Sequence, residues 1–308
     1  MIFLITASLI WAFSFGLVKG HLTDLNSSFV AWSRVLLALP VFLPFLRFRF
    51  LSIRLATHLF FIGMIQYGLL YTCYIKAFQY LDGYQVALFT ILMPIYVTLF
   101  DDLYQRKMKW TNLGMAILAV LGAAIIEYEK GISLKHLIWG FILMQLSNLC
   151  FAWGQIEYKR LRGKYTHLDD KEVYALLFLG AFILTTFTTT LANGWSSLFD
   201  ITWTHVGILV FLGTIATGLG CFLWNVGALT THAGALAVMN NIKIPLAVLI
   251  SLTVFGEETN ILRLILGGSV MVAAVLLSEY FRNKSGEVVL SKETEEILTK
   301  ETEKVRDQ

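Results

Sequence analysis

A lysine and two asparagines lie inside a long apolar run in the last third of the chain. Lys243 falls near the middle of the run 234–255. A lysine at the centre of a membrane helix costs roughly 2.5–3.5 kcal/mol on insertion scales, so it must face water or a partner. Because no acidic residue is predicted at the same depth, we interpret Lys243 as a counter-ion for an anionic solute. Pairing with the carbonyls of a broken helix is the structural alternative.

Two asparagines precede this lysine. Asn240 lies one helical turn before Lys243 and shares its face, so it is a predicted second contact with the solute. Asn241 points about 100° away and lies four residues before Pro245. We expect Asn241 to serve backbone groups that a proline kink leaves unpaired. Pro94 is predicted to mark an equivalent kink.

A polar face follows helical spacing in the run 137–158. Its residues recur at intervals of three and four positions, which indicates one helix face that avoids lipid. Hydrogen bonding between helices explains such a face as well as a solute pathway does, so both remain open. Trp153 lies off this face, near the predicted midplane. The face consists of Gln145, Asn148, Ala152, Gln155 and Lys159.

Aromatic residues also recur on one helical face. Tyr67, Tyr71 and Tyr74 have the spacing i, i+4, i+7. Together with Trp11 and Trp224 they could wall a solute cavity. Aromatic stripes more often serve packing or form interfacial belts, and this second interpretation is kept beside the first.

Charged residues near the ends of the runs are given structural roles. Arg34 and Lys76 are predicted to be anchors whose long side chains reach the membrane interface. Glu257 and Glu258 precede the last run, where negative charge suits a helix N-terminus, and a cap or a gate is expected. No Asp or Glu falls in the middle of a predicted span, so coupling could use exchange, facilitated diffusion or a histidine such as His21.

Long apolar runs must position all these residues. Hydrophobic residues make up 57% of the 308 and charged residues 15%, against about 45–50% and about 25% in soluble proteins. A helix needs about 20 apolar residues to cross a bilayer. The sequence therefore predicts an all-α integral membrane protein with ten transmembrane helices, at roughly 2–18, 28–46, 57–80, 84–100, 111–126, 137–158, 173–192, 204–229, 234–255 and 261–281.

Basic residues indicate the orientation of these helices. Lys and Arg concentrate in alternate loops, around 47–54, 106–109 and 159–171, and in the polar tail after Phe281. The positive-inside rule then places both termini in the cytoplasm. We predict a multi-pass protein of the inner or plasma membrane.

An internal repeat relates the two halves of the chain. At an offset of 151 residues, Gly83 meets Gly234 and Pro94 meets Pro245. Each half holds five predicted helices, an odd number, so the second copy is inverted in the membrane. Inverted repeats are a common architecture of secondary transporters, with the solute site near the midplane. The predicted units are a first repeat 1–130, an inverted second repeat 131–281 and a polar cytoplasmic tail 282–308.

Motifs for other functions are missing from the sequence. It contains no G-x-x-x-x-G-K-[ST] loop for nucleotide phosphates, no His/Cys metal spacing and no Ser/His/Asp cluster. Cys73, Cys150 and Cys221 lie far apart in apolar runs and are interpreted as buried hydrophobes. We expect no catalytic residues, metal or cofactor, and no nucleic-acid partner. The expected partners are a small-molecule solute and the lipid bilayer, and the oligomeric state is left open.

Several short motifs carry a family resemblance over residues 1–281. They are the opening Ile10-Trp11-Ala12-Phe13-Ser14-Phe15, Arg34 in the second run, the paired Gly–x10–Pro spacing and Phe255-Gly256-Glu257. With ten helices and a five-plus-five duplication, the chain resembles the EamA-type branch of the drug/metabolite transporter superfamily. The run Asn240–Pro245 resembles its carboxylate/amino acid/amine subgroup. Gln105-Arg106-Lys107 departs from the Gly-Glu pair that the family often has after its fourth helix.

The residues and the resemblance together predict a secondary transporter that works by alternating access around a midplane site. The predicted solutes are small polar metabolites, foremost amino acids or other carboxylate-bearing molecules. An exporter of amines or drugs is the first alternative, and a non-transporting membrane enzyme or scaffold the second. The predicted substrate-binding residues are Lys243, Asn240, Asn148, Gln155, Gln145, Trp153, Tyr71 and Trp11.

Overall fold

The computed structural model describes residues 2–47, 51–106, 134–165, 168–229, 244–257 and 260–270, with isolated positions at 114, 117–118, 121, 272–273, 276–277 and 280. Every regular element within these residues is helical. They contain 7 helices long and apolar enough to cross a membrane and two shorter apolar helices. The predicted all-α membrane fold is confirmed. Most of the fifth predicted span, and the tail 282–308, lie outside the described residues.

The described residues form nine helices. The long ones are α1 (Ile2–His21), α2 (Ser27–Phe42, continued by a 3-10 turn Leu43–Phe45), α3 (Ile53–Ala77), α4 (Gly83–Phe89, a 3-10 turn Thr90–Leu92, then Met93–Gln105), α5 (Leu134–Lys164), α6 (Asp170–Leu191) and α7 (Trp203–Leu229). The shorter ones are α8 (Ile244–Thr253) and α9 (Ile261–Val270). We call the two ends of the bundle the Arg54 end, where α3 begins, and the Glu257 end, where α4 begins.

Side-chain caps fix where several helices begin. The Asn26 side chain accepts a hydrogen bond from the Ser28 backbone N–H ahead of α2. Ser52 caps α3 in the same way through Leu55. Short polar side chains are favoured at this position because they satisfy amides that have no partner inside the helix. These caps fix the residues at which α2 and α3 begin, and therefore which residues of each helix face the interior of the bundle.

Two long helices widen into π-helical segments. One is Met64–Leu69 in α3 and the other is Phe211–Leu219 in α7. Such segments interrupt the regular hydrogen-bond ladder and are frequent at functional sites. The sequence pairs α3 with α7 across the predicted repeat, so the two irregular segments fall in helices that the repeat relates.

Glycines allow close packing of α3 against α6. A Cβ atom added to Gly63 would lie 1.9 Å from the Leu177 carbonyl oxygen, and one on Gly180 would lie 1.9 Å from that of Phe60. Small residues let membrane helices approach backbone to backbone. Around this crossing, α2 packs on α6 and α7, α3 also contacts α5, α1 packs on α7, and α4 packs on α5.

The prolines have different surroundings. α4 leaves α-helical geometry in the turn Thr90–Leu92, directly before Pro94. Pro245 lies next to the first described residue of α8, Ile244, so the predicted kink at Pro245 falls at the edge of the described residues and stays a prediction. Asn241 lies outside the described residues.

Candidate solute-binding site

A cavity lies between α1, α2, α3, α4, α5 and α7, with a volume of about 80 Å³. Its walls combine aromatic rings with a few polar groups, as is usual for small-molecule sites. Among the described lining residues, Arg34 is the one with a charged side chain. The cavity therefore joins elements from both predicted repeats around the buried Arg34 guanidinium.

Arg34 is held in the cavity wall by neutral groups. Its residue is only 2% exposed, and Nε donates a hydrogen bond to Thr217 Oγ1 at 3.1 Å. The guanidinium carbon lies 4.6 Å from the centre of the Tyr71 ring and 5.8 Å from that of Tyr74. The prediction that Arg34 is an interfacial anchor is wrong, because its side chain turns into the bundle toward α3 and α7. Lys76, by contrast, is exposed as an anchor should be.

The aromatic wall comes from α1 and α3. Tyr67, Tyr71 and Tyr74 all line the cavity, so their stripe belongs to a cavity wall and not to an interfacial belt. Trp11 lines it as well, and its Nε1 donates to the Ala216 carbonyl oxygen at 2.8 Å. Trp224 packs on Trp11 with ring centroids 5.2 Å apart.

The π segment of α7 supplies the partners that orient this wall. Ala216 and Thr217 both lie in Phe211–Leu219, and they accept hydrogen bonds from Trp11 and Arg34. Just beyond it, a Cβ on Gly220 would lie 2.9 Å from Trp11 Nε1. The irregular segment and the glycine therefore set the positions of the indole and the guanidinium.

The predicted polar face of α5 is buried except for Lys159, which is exposed, and only part of the face reaches the cavity. Asn148 lines the cavity and donates from Nδ2 to the Phe89 carbonyl oxygen at 2.8 Å and to Gln145 Oε1 at 3.1 Å. Gln145 also accepts a hydrogen bond from the Tyr96 hydroxyl at 3.1 Å. Gln145 thus orients the Asn148 side chain through a hydrogen bond but does not itself line the cavity.

Two predicted residues of α5 lie away from the cavity. Gln155 is seven positions after Asn148, about 10 Å further along the helix, and is buried among other helices. Trp153 is half-buried and packs against the apolar core. The cavity therefore brings together Trp11, Tyr71 and Asn148 from the predicted set. Lys243 and Asn240 lie outside the described residues.

Toward the Arg54 end, the cavity is followed by a hydrogen-bonded group that we call the tyrosine layer, made of Tyr67, Tyr174, Asn225 and Gln66. The hydroxyls of Tyr67 and Tyr174 are hydrogen-bonded to each other. Asn225 Nδ2 donates to the Tyr67 hydroxyl at 3.0 Å, and Gln66 Nε2 donates to Asn225 Oδ1 at 3.2 Å. The layer is neutral and buried, and it ties α3, α6 and α7 together.

Toward the Glu257 end, a carboxylate caps the start of α4. Glu257 Oε1 accepts from the Gly83 N–H at 2.7 Å, and Oε2 accepts from the Tyr84 N–H at 2.9 Å. We call this arrangement the Glu257 latch. Burial raises the pKa of Glu257, although the two backbone amides oppose the rise. Glu257 therefore caps α4, which is far away in sequence, and its role as a gate stays a prediction. Glu258 lies outside the described residues.

An ion pair and an aromatic contact lie beside the latch. Lys19 Nζ lies 3.0 Å from Asp82 Oδ1. The Phe255 ring packs on α1, where a Cβ on Gly16 would lie 2.2 Å from a ring carbon. His21 is exposed, with its ring 6.4 Å from that of Phe255. Its role in proton coupling stays a prediction.

Within the described residues, no three His, Cys, Asp or Glu side chains come close enough together to hold a metal ion. The cavity instead offers aromatic faces, a carboxamide, hydroxyls and one guanidinium. Such a set can bind a solute but holds no paired acid and base for a reaction.

Known proteins resemble this chain in sequence over nearly its whole length. Residues 1–128 match the EamA-like transporter family. The chain is 39% identical to a probable biotin transporter of Pseudomonas aeruginosa, over 92% of this chain and 99% of that protein. It is 37% identical to a biotin transporter of Salmonella typhimurium and 36% identical to one of Escherichia coli K12, each over 89% of this chain and 91% of the relative.

A solved structure shares the fold. A crystal structure of a protein with 14% sequence identity superposes with a TM-score of 0.62, covering 92% of this chain and 97% of that chain. At this identity the likeness concerns the fold alone. The sequence relatives are transporters, so the prediction that this protein is not an enzyme is confirmed.

Proposed function

We propose that this chain, which belongs to the EamA-like transporter family of the drug/metabolite transporter superfamily, carries biotin across the inner membrane. The observation that carries the proposal is the 36–39% identity to proteins named biotin transporters, spread over 89–92% of the chain. An alignment of this extent spans most of the cavity-lining helices as well as the scaffold. The relatives do not support the predicted amino-acid substrates.

The chemistry of the cavity suits biotin. Biotin has a fused bicyclic ring system with a polar ureido group at one end and an aliphatic chain ending in a carboxylate at the other. Trp11, Tyr71 and Tyr74 offer aromatic faces for the apolar part of the rings. Asn148 offers a carboxamide to the ureido group. A site with both kinds of surface binds an amphipathic solute better than a purely apolar pocket would.

The arrangement of the two proposed closures supports transport by alternating access. The cavity lies between the Glu257 latch and the tyrosine layer, and solute passes when one closure opens while the other stays shut. We place the Arg54 end in the cytoplasm, as the positive-inside rule predicts. The inverted repeats 1–130 and 131–281 are the two bodies that move. Lys243 and Asn240 remain proposed additional contacts.

The proposal is tested with purified protein in liposomes. Vesicles preloaded with unlabelled biotin should accumulate labelled biotin transiently, without ATP, because exchange needs only the moving site. Unlabelled biotin outside should compete, whereas a panel of amino acids and aliphatic amines should not. A matched preparation of empty liposomes measures leakage. Accumulation of an amino acid or an amine instead of biotin would assign the chain to a different substrate.

A further inference from the structure

Arg34 is the buried charge for which the protein provides no counter-charge in the described structure. It lies in the middle of α2 and is 2% exposed. The ion pairs formed among the described residues do not include it. A charge taken out of water costs several kcal/mol unless it is paired and hydrogen-bonded. A buried guanidinium of this kind needs an anion or water.

The contacts of Arg34 position the guanidinium without neutralising it. Thr217 accepts a hydrogen bond from Nε, while the Tyr71 and Tyr74 rings lie beside the guanidinium carbon. Cation–π contacts are favourable but give the N–H groups of the guanidinium no hydrogen-bond acceptor. Nη1 is buried, and no described residue accepts a hydrogen bond from it.

This pattern differs from that of a structural arginine. Arg162 provides the contrast at the Arg54 end, since its Nε lies 2.6 Å from Asp170 Oδ1 and its Nη1 donates to the Tyr165 carbonyl oxygen at 2.6 Å. Arg162 therefore has a carboxylate and a backbone acceptor, which fix the loop between α5 and α6. Arg34 has a hydroxyl and two rings, and it faces a cavity.

We propose that Arg34 binds the carboxylate of the transported solute. The identity of that solute, biotin, rests on the function proposed above, whereas the charge argument holds for any solute of this size with one carboxylate. A guanidinium forms two parallel hydrogen bonds with a carboxylate, and Nη1 is a free donor for one of them. Binding then supplies the missing counter-charge, so an anion is favoured over a neutral solute of equal shape.

The test compares biotin with biotinamide, in which an uncharged carboxamide replaces the carboxylate. Equilibrium dissociation constants are measured with purified full-length protein in lipid nanodiscs. The parent should bind biotin about 10- to 100-fold more tightly than biotinamide, the range expected for a hydrogen bond to a charged group. In Arg34→Gln the preference should fall to about one, while the affinity for biotinamide stays within about threefold.

Two further variants separate charge from folding. Arg34→Lys keeps the charge without the planar fork and should retain a reduced preference for biotin. Lys76→Gln, which removes an exposed charge from α3, should behave like the parent. A parent that binds biotin and biotinamide equally overturns the proposal even if Arg34→Gln does not fold. An Arg34→Gln protein that keeps the full preference overturns it too.

The failure of this inference is distinguishable from the failure of biotin transport. If the parent binds no biotin but selects another carboxylate over its amide, and loses that selection in Arg34→Gln, the function proposed above is wrong and the role of Arg34 stands. If the parent transports biotin and Arg34→Gln still discriminates against the amide, the function stands and the role of Arg34 is wrong.

Discussion

The two closures proposed for the cavity differ in their chemistry. At the Glu257 end, an ionisable carboxylate holds the Gly83 and Tyr84 amides at 2.7 and 2.9 Å, and its position is half-buried. Toward the Arg54 end, Tyr67 and Tyr174 join hydroxyl to hydroxyl with both residues 0% exposed. One closure is a single charged side chain on backbone amides, and the other is a neutral network within the core.

This difference predicts how the two ends respond to change. A carboxylate is hydrated again when it leaves a helix N-terminus, and this hydration offsets part of the free energy needed to open that end. A buried hydroxyl network regains little until several side chains separate together, because the layer is packed on three helices. We therefore expect the Glu257 end to need less free energy to open and its opening to depend on pH. Opening of the tyrosine layer should depend on side-chain packing alone.

Removing the latch should have the largest effect. Glu257→Ala deletes both hydrogen bonds to α4, and hydrogen bonds to charged groups are worth about 1.5–3 kcal/mol. We expect the open fraction at the Glu257 end to rise about 10- to 100-fold at pH 7. The measurement is the labelling rate of Cys221, the native cavity thiol, by a membrane-impermeant reagent, with Cys73 and Cys150 replaced by serine.

The control for this experiment is a carboxylate elsewhere. Asp169 is exposed in the loop before α6, so Asp169→Ala should leave the labelling rate of Cys221 unchanged. Equal rates in Glu257→Ala and the parent would show that the latch does not control access.

Breaking the tyrosine layer should have a smaller effect, and this effect should be on the stability of the protein. Tyr174→Phe removes the hydroxyl that bonds Tyr67 and donates to the Cys221 carbonyl oxygen at 2.8 Å. We expect a loss of about 1–2 kcal/mol of stability, because buried partners are left unsatisfied. Thermal unfolding in nanodiscs measures it, and the loss should be the same at pH 5 and pH 8. A loss that varies with pH would contradict the distinction between the two closures.

A pH series should identify Glu257 as the titrating group. Burial raises the pKa of Glu257 above its ordinary value, so the closed state binds the proton more tightly than the open state. The extra closure that protonation of this side chain adds is therefore fully present below the ordinary glutamate pKa and is lost as pH rises through the raised value. Above it, the ionised carboxylate keeps its two hydrogen bonds to the Gly83 and Tyr84 amides. Asp82 and Lys19, which face Glu257, have opposite effects on its pKa.

The matched variant removes the titration. Glu257→Gln keeps a side-chain acceptor and has no proton to lose. The ratio of the Cys221 labelling rate in the parent to that in Glu257→Gln should increase as pH rises from the ordinary glutamate pKa through the raised value. Taking this ratio also cancels the pH dependence of the reagent itself. A ratio that is flat, or that increases on acidification, contradicts the assignment.

The ion pair beside the latch should matter least. The Lys19 and Asp82 side chains are 29% and 45% exposed, and exposed pairs are worth about 0–1 kcal/mol. Lys19→Gln should change Cys221 labelling by less than about fivefold. The change should shrink further at high salt, because screening weakens exposed pairs. A larger effect that persists at high salt would make the pair part of the latch.

The sequence predicted the elements better than the contacts between them. Apolar run length located the helices, and periodicity identified the buried face of α5 and the tyrosine stripe of α3. Local patterns carry this information because one helix face repeats every three to four residues. The same patterns indicated Trp11 and Asn148, which the structure places on the cavity.

Contacts distant in sequence could not be derived in this way. Arg34 was assigned to the interface because hydropathy records its charge but not its partners, which come from α3 and α7. Glu257 precedes α9 in sequence, yet its hydrogen-bond partners are the first two residues of α4. The π segments of α3 and α7 have no side-chain signature, although they supply Tyr67 and Thr217 to the site. Each of these features depends on how two helices meet.

The central claim is that the Arg34 cavity binds biotin by its carboxylate. Its most direct test is a cryo-electron microscopy structure of the protein in nanodiscs with saturating biotin. We predict density for biotin between Trp11, Tyr71 and Asn148, with the carboxylate within hydrogen-bond distance of the Arg34 guanidinium. Biotin bound outside this cavity, or within it with the carboxylate turned away from Arg34, would contradict the account.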